Sequence, residues 1–418
     1  VTAEQAEQAG TPGESVAPDI VPLRRNRDFL LLWTGSGFSQ LGSRMSVMAF
    51  PLVLIWGLGS PAGAGVVAFA GLLPALVLQL PAGVLIDRWD RRKLMIACDA
   101  VAAIAMISVV VALVLGVVWL PHLAVAAFLE GTCMIFYLPA ERAAIRNVVA
   151  PEQISAAISQ NEARGRAAGL LGQPAGSSLF ALVSWLPFAA VAFGHVVALT
   201  NLGFVRSKLQ TERVRRPVNL RREVVEGVRW LWDQKFLRAA TTLVALTNFV
   251  AQIVTMASIL LVRDLGGSAA LTGLVGTVGG VGGVCGALAG AVLLRKLSLG
   301  GVLLVDIAAR AVLIPLMAFT PSLLLLFVPF AVMSFTGAVL NVGAGSYMAT
   351  IVPDELHGRA MSAILLMSWG MNSAGALAGG LLLTWFTPAS TLTAIGAVLV
   401  VTLVGAALNP TIRGARAR

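Results

Sequence analysis

Twelve apolar runs, punctuated by glycine, proline and charge, dominate this chain, and a compact soluble core cannot absorb so many. A membrane span needs about 20 such residues. On that length the runs place spans at about 29–57, 65–86, 94–118, 122–141, 155–183, 186–205, 237–262, 269–294, 300–319, 322–345, 358–384 and 389–408. Only 12% of residues are charged, about half the share in soluble domains. The net charge of +10 would otherwise suggest nucleic acid. A nucleic-acid binder, however, needs a soluble face on which its basic residues gather, so no nucleic-acid partner is expected. Cys98, Cys133 and Cys285 sit in apolar stretches without CxxC spacing, which excludes a secreted disulfide scaffold.

The basic residues give the spans an orientation. Counting Arg238, ten of them fall in the stretch after the sixth span, whereas the loops on the opposite side hold only Arg263. The positive-inside rule then predicts that both termini and this linker are cytoplasmic. Residues 1–23 are polar and acidic with no apolar core, so no removable signal peptide is read there and the first span is expected to serve as targeting signal. Alanine-rich, lysine-poor usage points to a bacterial source, and with it to the inner membrane. In the linker, Leu220, Val224, Val225, Val228, Leu231 and Trp232 share one helical face, which predicts an amphipathic helix on the anionic inner leaflet or a docking helix.

The chain repeats itself at an offset of about 200 residues. Val149-Ala150-Pro151-Glu152 matches Ile351-Val352-Pro353-Asp354, and Asp99 matches Asp306. An even number of spans separates the copies, so they share an orientation and pack around an axis along the membrane normal. The expected units are a tail at 1–27, six-helix bundles at 28–205 and 237–408, the linker at 206–236 and a tail at 409–418. The fold class is therefore all-α and polytopic, with two six-helix bundles around a central cavity.

Between the second and third spans runs Gly83-Val84-Leu85-Ile86-Asp87-Arg88-Trp89-Asp90-Arg91-Arg92-Lys93. This segment resembles the signature loop of the major facilitator superfamily, with Asp90 where that loop commonly has glycine. The resemblance implies a latch between the halves in the outward-facing state. Asp87 would approach the eleventh span near Gly358, and Arg91 or Arg92 would pair with Glu141. A positive-inside stop signal alone is the alternative. In the fifth span, Gly165, Gly169, Gly172, Pro174 and Gly176 form a small, kinked face on which a helix can slide. It resembles the glycine-proline motif of proton-coupled exporters, except at Gln173, Ser177 and Ser178, while close packing accounts for it equally well. Asn26-Arg27-Asp28-Phe29, Trp33 and Ser39-Gln40-Leu41-Gly42 resemble the bacterial drug and siderophore exporter branch, with Ser43 where that branch often has an acid.

Ionisable side chains inside a membrane are costly and therefore informative. From the span ends, Arg44 and Glu130 lie roughly 19 and 12 Å deep at 1.5 Å per residue, compatible with contact. Glu130 is the first candidate to load and release a proton, with Arg44 tuning it; a permanently satisfied ion pair is the rival reading. Asp306 and Arg310 are four apart and can pair directly. Asp99 has Ala103 at that spacing, which leaves it an unpaired acid and, with Asp306, a further proton candidate. Glu162, Arg164 and Arg166 read as structural at the start of the fifth span. His122 and His357 fall at membrane edges and His195 inside the sixth span, without metal-ligand spacing, so no metal is expected.

In the superfamily, spans one, four, seven and ten line the cavity. That resemblance puts Gln40, Arg44, Asn248, Gln252 and Asn341 near substrate, with Met45, Met134 and Met371 among apolar walls that suit large apolar compounds. Neither a phosphate loop nor a nucleophile-base cluster is present, so neither ATP hydrolysis nor any enzyme activity or cofactor is expected. The expected function is proton-coupled efflux of amphipathic small molecules by a monomer whose partners are substrate, protons and lipid. A dedicated exporter of one endogenous metabolite and a non-transporting sensor are the alternatives.

Overall fold

A computed structural model describes residues 21–210 and 220–413 of the chain; some side chains inside helices, including Asp87 and residues 220–224, 354, 355, 357 and 358, lie outside that description. The first half comprises α1 (Arg27–Leu52, prolonged by a π-turn at Val53–Gly57), α2 (Pro61–Val77), α3 (Gln79–Arg88), α4 (Arg91–Val114), α5 (Leu120–Ile145), α6 (Ile154–Leu182) and α7 (Leu186–Phe204). The linker helix α8 (Leu220–Asp233) follows. The second half holds α9 (Lys235–Asp264), α10 (Ala269–Leu293), α11 (Leu299–Ala318), α12 (Leu323–Ile351), α13 (Asp354–Trp385), α14 (Pro388–Leu408) and the short α15 (Pro410–Arg413).

Local chemistry sets many of these boundaries. Asn26 accepts from the Phe29 amide at the start of α1, and Ser60 accepts from Gly63 ahead of α2, whose first residue is Pro61. Asp90, the departure from the loop motif, accepts from the Lys93 amide and caps α4. The second span is broken into α2 and α3 at Leu78. Pro81 has no amide proton to offer the Val77 carbonyl, which explains the interruption.

Among the described residues nine helices are long and apolar enough to cross a membrane. The twelve spans are completed by α2 with α3, by α6 and by α13. The last two have the length but open on polar turns, such as Asn161, Glu162, Arg164 and Arg166 in α6. In the first half α1 packs on α6 and α7, α4 on α5 and α7, and α2 on α5; in the second, α10 packs on α12, α11 on α12 and α14, and α9 on α13. The halves meet where α2 lies against α13 and α6 against α10.

Those meetings fall away from the linker. A Cβ on Gly65 would stand 2.8 Å from the Gly380 Cα, and one on Gly273 would stand 2.6 Å from the Pro174 Cα. On the same face Arg263 donates to the Ile55 carbonyl at 3.1 Å, joining α9 to the π-turn of α1. Toward the linker, by contrast, a Cβ on Gly83 or Gly169 would meet nothing within 4 Å.

The apolar face of the linker helix is divided between packing and exposure. Leu231 is fully buried and Val228 partly so, while Val225 and Trp232 remain exposed. The helix packs on α13 and α9. Gly227 lets the Arg359 carbonyl come so close that a Cβ there would overlap it, and Arg359 pairs with Glu226 at 2.6 Å. Leu220 and Val224 belong to the undescribed side chains.

Candidate functional site

Four serines set the polar interior of the first half. Ser36, Ser39, Ser43 and Ser46 recur at three- and four-residue intervals on one face of α1, and all four are buried. Glycines bring α7 against α1: a Cβ on Gly42 would stand 3.2 Å from the Val191 Cα, and one on Gly194 would stand 2.8 Å from the Phe38 carbonyl oxygen. The close crossing carries His195 into the interior with no exposed surface.

Around that imidazole two carboxylates converge. Nδ1 lies 2.9 Å from an Asp99 oxygen on α4. Nε2 lies between the two oxygens of Glu130 on α5, 3.3 Å from Oε1 in hydrogen-bonding geometry and 3.2 Å from Oε2 outside it. Ser39 donates to Asp99 at 3.2 Å, and Ser43 donates to Glu130 in a short contact. One oxygen of each acid, Asp99 Oδ2 and Glu130 Oε2, has no hydrogen-bond partner among the described residues. Such orphans are uncommon in buried sites. The arrangement replaces two expectations: Asp99 is not unpaired, and Glu130 meets His195 and Ser43 rather than Arg44. Arg44 instead packs its Cβ over Gly172, where an added Cβ would overlap it, and its side chain is exposed.

A second buried network lies nearer the linker. Glu141 accepts from Arg164 at 2.7 Å, Asn161 at 3.2 Å and Gln40 at 3.4 Å. Arg164 also donates to the Trp33 carbonyl at 2.8 Å and sits 5.9 Å from the Trp33 ring. Glu141 is thus held by Arg164, where the latch reading expected Arg91 or Arg92. Arg91 donates to the carbonyls of Ala143 and Leu209, and Arg92 to those of Leu202 and Gly203 at the end of α7, where a cation meets the unsatisfied carbonyls of a helix terminus. Arg88 is exposed, Glu162 pairs with Arg142 at 2.7 Å, and the Asp87 and Gly358 placements lie outside the described residues.

In the second half Asp306 is also buried, and each of its oxygens has a hydrogen-bond partner. Its Oδ1 accepts from Thr336 at 2.6 Å and its Oδ2 from Arg310 at 2.9 Å. On α6, Gly172 and Gly176 pack on α1, whereas Gly165 and Gly169 are more open. The residues that depart from the sliding motif make contacts across the halves: Ser177 donates to the Ala270 carbonyl at 3.2 Å, and Gln173 lies against Gly276. Arg44, Asn248, Gln252 and Asn341 make no side-chain hydrogen bond among the described residues. Sequence reasoning gave His195 little weight and missed the serine stripe, whose regular spacing in an apolar span was the available signal.

Twelve spanning helices in two bundles around a polar interior are the architecture of a multi-pass membrane protein, and the family match places the chain among the small-molecule transporters of the major facilitator superfamily. Within it, the chain belongs to the transmembrane secretion effector family, whose model matches residues 17–413. It is 27% identical over 360 residues to the multidrug efflux pump Tap of Mycolicibacterium fortuitum, covering 81% of this chain and 85% of that one. It is also 27% identical to macrolide efflux protein A of Streptococcus pyogenes, over 53% of this chain and 55% of that one. The fold matches the nucleoside transporter NupG with a TM-score of 0.69 at 13% identity, over 91% of this chain and 97% of that one. A bacterial homolog of the human lysosomal transporter Spinster, inward-facing and unoccupied, matches with a TM-score of 0.65 at 15% identity, covering 93% and 94%.

Proposed function

We propose that this protein is a secondary active exporter that expels amphipathic small molecules in exchange for protons by alternating access. The observation that carries the proton half is the pair of buried carboxylates, Asp99 and Glu130, with no lysine or arginine partner among the described residues. An acid that can change charge inside the membrane is what proton coupling requires. The drug-pump relatives support export, and Gln252, Asn248 and Asn341, without a side-chain hydrogen bond among the described residues, offer adaptable polar contacts to substrate. We place the linker and both termini on the cytoplasmic side of a bacterial inner membrane. The closed face is then the outer one, and the structure is inward-facing, with the 83–93 loop latching the other state. The bundles run over 28–205 and 237–408.

Proteoliposomes loaded with ethidium as an amphipathic cation test this. A pH gradient should drive ethidium transport in the wild type, and Glu130→Gln should abolish uphill transport while leaving a folded protein. Unchanged uphill transport in that variant removes Glu130 from coupling. A narrower reading, export of one anionic metabolite, is favoured by the exposed Arg44, which has no carboxylate partner among the described residues. Competition by anionic but not cationic amphiphiles, lost in Arg44→Gln, would select it.

A further inference from the structure

The ring of His195 poses a counting problem. Both of its nitrogens face carboxylate oxygens, Nδ1 at 2.9 Å and Nε2 at 3.3 Å. An ionised carboxylate only accepts, and a neutral imidazole has a single N–H. With both acids ionised and the ring neutral, one nitrogen would therefore oppose lone pair to lone pair in a buried site. Two arrangements avoid this: a doubly protonated ring between two carboxylates, or a neutral ring flanked by one carboxylate and one carboxylic acid that donates to the bare nitrogen. Each holds two protons among the three groups and leaves a net charge of −1. A third proton brings the group to neutrality, and the orphan oxygens Asp99 Oδ2 and Glu130 Oε2 are open positions for it.

We propose that Asp99, His195 and Glu130 form one proton-exchange unit in which the His195 ring is a working member, alternating between two and three shared protons. Protons in so tight a cluster belong to the group rather than to a single residue. Polar and titratable neighbours reach the cluster from three helices: Ser39 and Ser43 from α1, Asp99 and Cys98 from α4, and Glu130, Cys133 and Tyr137 from α5. The buried cation on α6, Arg164, is committed to Glu141 and Trp33. Among the described residues no fixed positive charge therefore clamps the cluster, in contrast to Asp306 with Arg310. Glu130, with 6% of its side chain exposed against 1% for Asp99 and none for His195, is where protons come and go. The unit's role in transport rests on the antiport reading; its titration does not.

The test uses the full-length protein in lipid vesicles without substrate. The chain has three histidines, so 15N-histidine labelling gives three pairs of ring signals, Nδ1 and Nε2 of each, assigned by replacing His122 and His357. Infrared difference spectra over the same pH range report a buried carboxylic acid. The expected result is one common midpoint for both probes: the single added proton either creates the acid band beside a ring already doubly protonated, whose signals move as the neighbouring charge is lost, or protonates a neutral ring beside an acid band already present, which then shifts. Glu130→Gln should lose or displace both, and His195→Gln should displace the band. Ser43→Ala keeps all three titrating groups and should move both signals together, which guards against misfolding of the His195 variant. A His195 ring signal and a carboxylic acid band that change at separate midpoints, or a band indifferent to His195→Gln in a folded protein, would overturn the proposal. A common step in vesicles where a pH gradient does not drive ethidium would instead uphold the exchange unit and remove the antiport reading.

Discussion

Asp306 accepts one hydrogen bond on each oxygen, from Thr336 and from the Arg310 guanidinium one turn away, so we read it as a structural pair. Asparagine there should lower stability by about 3 kcal/mol, the usual cost of breaking a buried pair from one side, while pH-driven ethidium transport persists. Thermal melting and the vesicle assay check the two halves of that expectation, and loss of coupling in a well-folded variant would contradict it. Glu141 calls for a similar experiment with a different emphasis. Its partner Arg164 simultaneously serves the Trp33 carbonyl and ring, which suits a planar fork and not an ammonium. Arg164→Lys should therefore melt earlier than wild type despite retaining its charge. The Asp306–Arg310 pair was legible because both residues lie one turn apart on one helix. The partner of Glu141 was not: several basic residues are within reach of the end of α5, and only the crossing of α5 with α6 selects among them. The same holds for His195, whose two acids come from α4 and α5.

At the scale of helices, α1 shows which signals survive in a sequence and which do not. Its apolar length announces a span, and its Ser36, Ser39, Ser43 and Ser46 spacing already marks one polar face. Nothing in that spacing says what the face meets, because the answer depends on Gly42 and Gly194 letting α7 approach. Helix contacts across the halves are equally sensitive to a single methyl group. Any side chain at Gly65 would intrude on the Gly380 Cα at 2.8 Å and the Ala376 carbonyl oxygen at 2.9 Å. Gly65→Val should therefore prop open the face away from the linker. With Cys285 replaced, a cysteine introduced at Gln252 should become more reactive toward an impermeant thiol reagent applied from outside. Unchanged reactivity would show that the α2–α13 contact does not govern access.

For the whole molecule, the internal repeat is unequal in its buried acids: in one half Asp99 and Glu130 meet His195, and in the other Asp306 meets Arg310; the proposed antiport then makes a directional prediction. Acidifying the outer side should accelerate outward ethidium movement, because inward proton flow is then downhill, and reversing the gradient should slow it. Fluorescence quenching in vesicles of known orientation reads both directions.

Under the proposed antiport, one proton per cycle through the Asp99–His195–Glu130 cluster would fix how hard the pump can push. A monovalent cation traded for one proton moves no net charge, so membrane voltage drops out and only the acidity difference remains. The steepest concentration ratio it can sustain is then about tenfold per pH unit, the equivalent of roughly 1.4 kcal/mol. A cell relying on it against a cationic poison gains protection through rapid turnover and slow leak, and a neutral poison, whose exchange does carry charge, would be held to a lower residual level.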